Sequence, residues 1–203
     1  MLVLAAGSSR RLGRPKQLLD LEGRPLLQHV IDAAVAAGSE QIVVVLGHAE
    51  REIRAAIALP PSAVVAVNPD FATGQASSLR VGLAALAEPV ARAVVLLGDQ
   101  PRVSPEVIRS VANAPGPIAR ATYGGVPSHP VAFDQALWSE LRAVEGDRGA
   151  RDVLASHVGE VTFVEVSGTP PVDVDTDADY RRLLRSPIRS SAGSHGAAGD
   201  RAE

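Results

Sequence analysis

The sequence predicts an α/β protein built on one open, mostly parallel sheet with helices on both faces. Hydrophobic residues make up 46% of the chain and aromatic residues only 3%, so the core is aliphatic, as buried parallel strands require. Short Val- and Ile-rich runs alternate with amphipathic stretches, the order of repeated β-α-β units. We assign residues 1–185 to a single domain and expect residues 186–203, which are small and polar without periodicity, to be disordered.

Six apolar runs are predicted strands. They are mostly continuous rather than alternating, which indicates burial on both faces. They are Met1–Ala5, Gln41–Leu46, Ala63–Asn68, Ala93–Leu97, Ile118–Thr122 and Val161–Val166.

Seven stretches between and after these strands have helical periodicity. The first stops at Gly38, a common residue after a helix end, and the fourth begins with the N-cap pair Ser104-Pro105. The predicted helices are Pro25–Ala37, Glu50–Leu59, Gln75–Leu86, Pro105–Val111, Asp134–Val144, Gly149–His157 and Asp177–Leu184.

Composition excludes several classes of site and partner. The chain has no cysteine, so disulfides, thiolate metal sites and cysteine nucleophiles are ruled out. The formal net charge of −3 favours neither nucleic acid nor an anionic membrane. No apolar run approaches the length of a membrane span and the start does not resemble a secretion signal. We therefore expect a cytoplasmic protein with neither nucleic-acid nor membrane partners.

The loop after the first strand, residues 6–16, is rich in glycine and basic side chains. In open parallel sheets, ligands bind at the carboxyl ends of the strands. Backbone N–H groups beside Gly7 and Gly13, together with Arg10 and Arg11, suit a phosphate group. Lys16 is the single lysine among twenty basic residues, which suggests a place where a compact ammonium is needed. The alternative is a solvated basic turn.

Two common nucleotide motifs do not fit this loop. Five residues separate Gly7 from Gly13, whereas a P-loop has four and continues with Lys and Ser or Thr. A dinucleotide fold needs G-x-G-x-x-G and an acidic residue ending the second strand, which here ends Leu46-Gly47-His48. Kinase-type ATP hydrolysis and NAD- or flavin-linked redox chemistry are therefore disfavoured.

Carboxylates follow the fourth predicted strand and precede the last helix. Asp99 ends an apolar strand, where a carboxylate can hold Mg²⁺ against a triphosphate, although Asp is also common in turns. Near the last helix, Thr176 reads as an N-cap with Asp177 and Asp179 in the first turn. That interpretation does not account for Asp173 and Asp175, which point the same way in an extended segment.

The first loop also resembles a known family. The stretch LAAGSSRRLGRPK, residues 4–16, is similar to the L-A-A-G-x-S-x-R-M-G-x-x-K signature of molybdenum cofactor nucleotidyltransferases, with Leu12 where Met is usual. The similarity covers nearly the whole chain. It is closest to the cytidylyltransferase branch, through Gly98–Pro101, Gly146–Arg151 and Asp173–Thr176.

The resemblance implies a Rossmann-like nucleotidyltransferase fold and a set of site residues. It makes Arg11 and Lys16 catalytic, Asp99 and Asp175 the Mg²⁺ ligands, and Asp173 an alternative ligand. It places acceptor contacts at His129, Arg148 and Arg151. Next to His129, Ser128 replaces the Gly that is usual in the family. For Arg148 and Arg151 the alternative is a helix entry with exposed arginines that bind no ligand. The nucleotide-binding candidates are Leu4, Ala5, Ala6, Gly7, Ser8, Ser9, Arg10, Gly13, Asn68, Ser77, Ser78 and Gly98, although turn composition explains much of the stretch from Asn68 to Ser78.

The implied reaction transfers a nucleoside monophosphate from an NTP to a phosphate-bearing acceptor and releases pyrophosphate, with Mg²⁺ as cofactor. The resemblance favours CTP and a molybdopterin-type acceptor, with a molybdoenzyme or its chaperone as protein partner. A guanylyltransferase acting on molybdopterin or a small phosphorylated acid is the alternative within this chemistry. A non-catalytic pterin-cofactor binding and delivery protein is the alternative of another class.

Overall fold

The computed structural model describes residues 1–87 and 89–185, so the segment expected to be disordered, 186–203, lies outside the described residues. The described chain forms a seven-stranded sheet, a two-stranded hairpin and seven α-helices. The strands are β1 Leu2–Leu4, β2 Asp20–Leu21, β3 Arg24–Pro25, β4 Ile42–Leu46, β5 Ala63–Val67, β6 Arg92–Leu97, β7 Ile118–Tyr123, β8 Val126–Asp134 and β9 Val161–Val166. The α-helices are α1 Leu26–Ala36, α2 Glu50–Ala56, α3 Gln75–Ala84, α4 Pro105–Asn113, α5 Trp138–Ala143, α6 Arg151–Ser156 and α7 Asp177–Arg185.

The sheet has the strand order β5-β4-β1-β6-β8-β7-β9. Every neighbouring pair is parallel except the two that involve β8, which runs antiparallel to both β6 and β7. The predicted α/β class with a mostly parallel sheet is therefore confirmed. Strands β1 and β6 lie side by side at its centre, so the loops that follow them open at the same edge.

The prediction missed one strand of the large sheet. Residues 126–134, which include the acceptor candidate His129, were not among the predicted strands, but Val126–Asp134 is strand β8. The predicted helix Asp134–Val144 is present in shortened form, because a short 3₁₀ turn follows β8 and helix α5 begins only at Trp138. Pro127 and Pro130 hid the strand, because proline cannot donate to a central ladder. Both lie in the half of β8 that pairs with β7 alone, since β6 pairs only with residues 131–134.

Two apolar layers cover the two faces of the sheet. On one face, α1, α2 and α4 pack against side chains such as Val3, Val44 and Leu96. On the other face, α3, α5 and α6 pack against the alternate positions, such as Leu2, Val43 and Val95. Side chains alternate between faces along each strand, so the continuous apolar runs supply both layers.

Helix α7 packs against the small β2–β3 hairpin rather than the large sheet. Leu183 lies in a separate cluster with Leu21 and Leu26, and the Tyr180 hydroxyl donates to the Asp20 carbonyl at 2.6 Å. Val174 in the segment before the helix is fully buried in the same cluster. This packing brings the carboxylates that precede α7 to the carboxyl edge of the sheet. Within the described residues, no helix is both long and apolar enough to cross a membrane.

Candidate active site

A cleft of about 420 Å³ opens at the carboxyl ends of β1 and β6. Its walls come from the first loop, the turn after β6, the start of α3 and the segment before α7. Most of the nucleotide-binding candidates lie here: Leu4, Ala5, Ala6, Gly7, Ser8, Ser9, Arg10, Ser78 and Gly98. Gly98 is needed for close packing, because a Cβ there would lie 2.7 Å from the Ala5 Cβ.

The first loop is shaped by Ser9, which has a positive φ of 51°. Its carbonyl accepts hydrogen bonds from the N–H groups of Leu12 at 3.0 Å and Gly13 at 3.1 Å. Its hydroxyl accepts from the Lys16 N–H at 3.0 Å. Gly13, also at positive φ, does not line the cleft and serves this turn instead. The loop is therefore a folded element that turns Lys16 back toward the sheet.

Gln17 is a site residue that the sequence analysis missed. It is 1% exposed, and its amide donates to the Ala5 carbonyl at 2.6 Å and the Gly7 carbonyl at 3.2 Å. These bonds tie the 3₁₀ turn Lys16–Leu18 to the loop that leaves β1. The amide oxygen of Gln17 is buried without a hydrogen-bond partner. Gln17 is uncharged and belongs to no motif that the sequence analysis identified, so neither composition nor residue spacing indicates its role.

Lys16 bridges two carboxylates on the floor of the cleft. Its ammonium lies 2.5 Å from Asp99 Oδ2 and 2.8 Å from Asp175 Oδ1. Arg11 contacts the other oxygen of Asp175 at 2.7 Å. The four residues predicted as catalytic and metal-binding thus form one connected group, although 76 positions separate Asp99 from Asp175.

Asp173 is directed elsewhere. Its carboxylate accepts a hydrogen bond from the buried Gln100 amide at 2.7 Å. The Val174 N–H donates to the Asp99 carbonyl at 3.2 Å, which fixes this segment beside β6. The sequence predicts Asp175 as a metal ligand and Asp173 as the alternative. The structure brings Asp175, and not Asp173, to Lys16.

The ionisation of this group follows from burial and pairing. Burial opposes the charge on Lys16, but Asp99 and Asp175 raise the pKa of Lys16 above its ordinary value. Burial would also raise the pKa of Asp175, yet Lys16 and Arg11 lower it overall. For Asp99, burial dominates and raises its pKa, partly offset by Lys16. A poorly hydrated carboxylate of this kind needs a cation beside it.

The same geometry fits a divalent cation. The Lys16 ammonium shows that one cation reaches both Asp99 and Asp175. No group of three or more His, Cys, Asp or Glu side chains suited to a metal occurs within residues 1–87 and 89–185. Mg²⁺ needs no such group, because it commonly takes one or two carboxylates and completes its shell with substrate phosphates and water. Asp99 and Asp175 are the residues that would hold it.

The loops around residues 71–75 and 146–149 form the far wall, which the sequence analysis only partly identified. Gly74 has a φ of +116°, and a Cβ there would lie 2.3 Å from the Gly146 backbone carbon. A Cβ at Gly149 would lie 2.5 Å from the Gln75 side-chain oxygen. This contact brings Asp147 into the cleft together with Phe71 and Gln75. The close packing of these glycines depends on two loops that are distant in sequence, so the sequence of either loop alone does not predict it.

Two of the nucleotide-binding candidates serve the scaffold instead. Asn68 is 1% exposed, and its amide donates to the hydroxyls of Ser77 at 2.8 Å and Ser78 at 2.9 Å. Ser77 in turn donates to the Gly74 carbonyl at 2.8 Å. Asn68 and Ser77 do not line the cleft, whereas Ser78 does. The loop composition reflects a buried network that anchors α3.

The acceptor candidates fall into two groups. His129 lines a small cavity beside the cleft, bounded by Gly149 and by Leu4 and Gln75, which also line the cleft itself. Burial, with nearby Arg120 and Arg151, lowers the pKa of His129 to about 4, so it is neutral at pH 7. Arg148 instead points to solvent, where it pairs with Asp152 at 2.8 Å. Arg120 was not predicted.

Comparison with known proteins identifies the family to which the chain belongs. Residues 1–161 match the MobA-like NTP transferase domain. The chain is 34% identical over 195 residues to nicotine blue oxidoreductase of Paenarthrobacter nicotinovorans, covering 90% of this chain and 95% of that protein. It is similar to the crystal structure of Rv0371c from Mycobacterium tuberculosis H37Rv, with a TM-score of 0.84, 39% identity, and coverage of 91% and 96% of the two chains.

A second structure of Rv0371c, described as a complex with manganese, has a TM-score of 0.79 and 36% identity, over 91% of this chain and 96% of that one. The family match covers most of the chain, including Lys16 and Asp99, and the longer similarities extend past Asp175. Together with the ion-paired group on the cleft floor, these matches show that the chain belongs to the MobA-like NTP transferase domain family and is an enzyme of nucleotidyltransferase type.

Proposed function

We propose that this enzyme transfers CMP from CTP to the phosphate of a molybdopterin-type acceptor in a Mg²⁺-dependent reaction. The observation that carries the proposal is the group formed by Lys16, Asp99 and Asp175 at the end of the cleft that the first loop encloses. It combines a cation for phosphate oxygens with two carboxylates for a metal. Arg10 and Arg11 add positive charge along the same wall.

In the proposed reaction, an oxygen of the acceptor phosphate attacks the α-phosphorus of CTP. A new P–O bond forms, the bond between the α-phosphorus and its bridging oxygen breaks, and pyrophosphate leaves with that electron pair. Bound Mg²⁺ would neutralise part of the charge on the phosphates. Lys16 and Arg11 would stabilise the charge that develops on the leaving group, and the folded first loop would hold the triphosphate in position.

The divalent ion is supported by the two carboxylates and by the manganese complex of Rv0371c. CTP and the molybdopterin-type acceptor rest on the sequence resemblance through Gly98–Pro101 and Gly146–Arg151. In the cleft, Asp147, Gln75 and Ser78 offer polar groups on the wall facing the first loop, where a base could be read. We therefore place the base near these three residues and the triphosphate near Arg10 and Lys16.

The test is pyrophosphate release with Mg²⁺, molybdopterin and each of CTP, GTP, ATP and UTP in turn. Release with CTP alone supports the proposal. Release with GTP alone keeps the chemistry and changes the base, as in the guanylyltransferase alternative. Binding of molybdopterin without pyrophosphate release from any of the four nucleotides would contradict catalysis and favour a delivery protein. Omitting Mg²⁺ is the matched control.

One observation favours a second function. The relative from P. nicotinovorans is named an oxidoreductase and matches nearly the whole chain. The first loop lacks the dinucleotide fingerprint, and the carboxylate pair suits a metal–triphosphate better than a nicotinamide ring. Absorbance at 340 nm with NADH or NADPH and nicotine blue decides the point. Turnover there, with no pyrophosphate release from any nucleotide, would replace the proposed transferase activity.

A further inference from the structure

The apolar layer under α5 and α6 ends in two polar side chains beside the cleft. On β7 and β8, Ile118, Val131 and Phe133 point into that layer. Arg120 occupies the next alternate position on β7, so it extends this face toward the site. The register of β8 against β7 shifts between Val131 and Pro127, and within this stretch His129 lines a small cavity with Leu79 and Val95 of the same layer. Arginine inside a sheet face is unusual unless something pairs with it.

Arg120 is not paired with a carboxylate. Its Nε donates to the Ser128 carbonyl at 3.2 Å, and the residue is half-buried. Across residues 1–87 and 89–185, neither Arg120 nor Arg151 has an ion pair. Burial and the neighbouring charge of Arg151 lower the pKa of Arg120. Two guanidinium groups that repel each other in one place, without a counter-ion, are arranged for an anion that comes from outside.

The surroundings set where that anion lies. Arg120 bonds to the carbonyl of Ser128, which precedes His129, and His129 lines a small cavity with Gly149 and Ala150, the two residues before Arg151. This cavity shares Leu4 and Gln75 with the cleft, and the charges of Arg120, Asp99 and Arg151 all act on the His129 ring. Strand β7 is three strands from β1, which corresponds to about 14 Å across the sheet. Arg120 therefore lies well apart from the strand that carries the first loop, near the cavity beside the cleft rather than in the cleft itself.

We propose that Arg120, together with His129 and Arg151, binds the phosphate group of the acceptor substrate. The proposal rests on the nucleotidyl transfer described above. In an in-line displacement, the attacking and leaving oxygens lie on opposite sides of the phosphorus. Arg11 and Lys16 serve the leaving pyrophosphate, and the unpaired cations beside the cleft serve the incoming phosphate. A guanidinium binds such a group with two parallel hydrogen bonds, and the neutral imidazole of His129 donates a third.

The test compares Arg120→Met and Arg120→Lys with Arg109→Met, which removes a half-exposed arginine of α4 that bonds to Ala36 and Glu106 away from the cleft. Acceptor KM and kcat are measured by pyrophosphate release, and CTP binding by calorimetry. With the cleft filled by CTP and Mg²⁺, inorganic phosphate is titrated while the His129 ring resonance is followed by NMR. The Arg120 variants must keep wild-type thermal melting to be interpreted, and the lysine variant remains informative if the methionine variant does not fold.

We expect Arg120→Met to weaken phosphate binding and raise acceptor KM by about 10- to 100-fold, because a charge-assisted pair is lost. CTP affinity should be unchanged, and Arg120→Lys should recover part of the loss, since lysine keeps the charge but not the fork. Wild-type phosphate binding in Arg120→Met would overturn the site. A loss that appears only for pyrophosphate inhibition, with acceptor KM intact, would overturn the acceptor assignment.

These outcomes separate the anion site from the proposed reaction. If the wild-type chain releases no pyrophosphate with any nucleotide, nucleotidyl transfer fails. The phosphate titration, which needs no turnover, still reports whether Arg120 binds an anion. A phosphate-induced shift at His129 that disappears in Arg120→Met but persists in Arg109→Met would then keep the site and leave its substrate to be found among other phosphorylated compounds.

Discussion

The floor of the cleft at Lys16 and the small cavity beside it at His129 handle charge in opposite ways. Around Lys16, cations and carboxylates are already paired, with Asp99 and Asp175 sharing one ammonium. Near His129, Arg120 and Arg151 form no ion pair within the described residues, although the Asp99 carboxylate also acts on the His129 ring. The Lys16 region can exchange one cation for another as substrate arrives, whereas Arg120 and Arg151 gain an ion pair only from an anionic ligand. Charge pairing therefore distinguishes the site proposed for metal-bound phosphate from the one proposed for a bare phosphate.

The strongest way to break this comparison is Asp99→Asn. Removing the charge that holds the cation should lower kcat by about 100- to 1,000-fold, as for other preorganised electrostatic groups. The fold should persist, because the amide has nearly the same shape. Asp177→Asn, which removes an exposed carboxylate paired only with Arg14, is the control. Undiminished Mg²⁺-dependent turnover in Asp99→Asn would contradict the metal assignment.

Lys16→Met sharpens the comparison, because it leaves Asp99 and Asp175 facing each other without the ammonium. We expect kcat/KM to fall by about 10- to 100-fold through the lost charge-assisted contacts. The melting temperature without divalent ions should also fall, and Mg²⁺ or Mn²⁺ should raise it more than in the wild type, because the metal replaces the ammonium. Differential scanning fluorimetry across a metal titration measures this. Equal metal effects in the two proteins would show that the carboxylates do not share a cation site.

Gly74→Ala tests the wall formed by the loops around residues 71–75 and 146–149, which contributes residues to both the cleft and the small cavity. The substitution forces a Cβ into the Gly146 backbone at a positive φ, so we expect a loss of about 2–4 kcal/mol in the free energy of unfolding. Chemical denaturation measures it. Gly159→Ala, where a Cβ meets nothing within 4 Å, should change stability by less than about 0.5 kcal/mol. Similar values for both variants would mean that the two loops do not pack as described.

The smallest expected effect lies outside the cleft, at His157. Its ring nitrogens each lie 2.9 Å from a carboxylate, those of Glu160 and Glu140, which raises the pKa of His157. A raised pKa stabilises the fold fully below the unfolded value of about 6.5, and the gain disappears as pH rises through the folded pKa. His157→Gln should therefore lower the melting temperature slightly at pH 5.5 and not at pH 8.5. A larger loss at pH 8.5 would reverse the assignment.

Sequence reasoning succeeded where the signal is local. The continuous apolar runs predicted β4 and β6. The loop signature pointed to Arg11 and Lys16, the end of the fourth predicted strand pointed to Asp99, and all three line one cleft. It failed where a residue's role depends on a distant partner. Strand β8 carries prolines that only its one-sided pairing permits. A loop that contains Asn68, Ser77 and Ser78 has a composition that suits a ligand-binding loop and a buried hydrogen-bond network equally well. The sequence around Arg120 is that of an ordinary strand, and only the fold brings Arg151 and His129 near it.

The packing of α7 on the hairpin has a consequence for biosynthesis. Asp99 emerges from the ribosome with the central strands, but Asp175 follows β9, the last strand of the described chain. The N–H of Val174 must reach the Asp99 carbonyl before both carboxylates can share a cation. A nascent chain that has completed its sheet thus has an open cleft and only one of the two carboxylates proposed to hold the metal. The proposed cation site between Asp99 and Asp175 is complete only when the segment before α7 has docked beside β6.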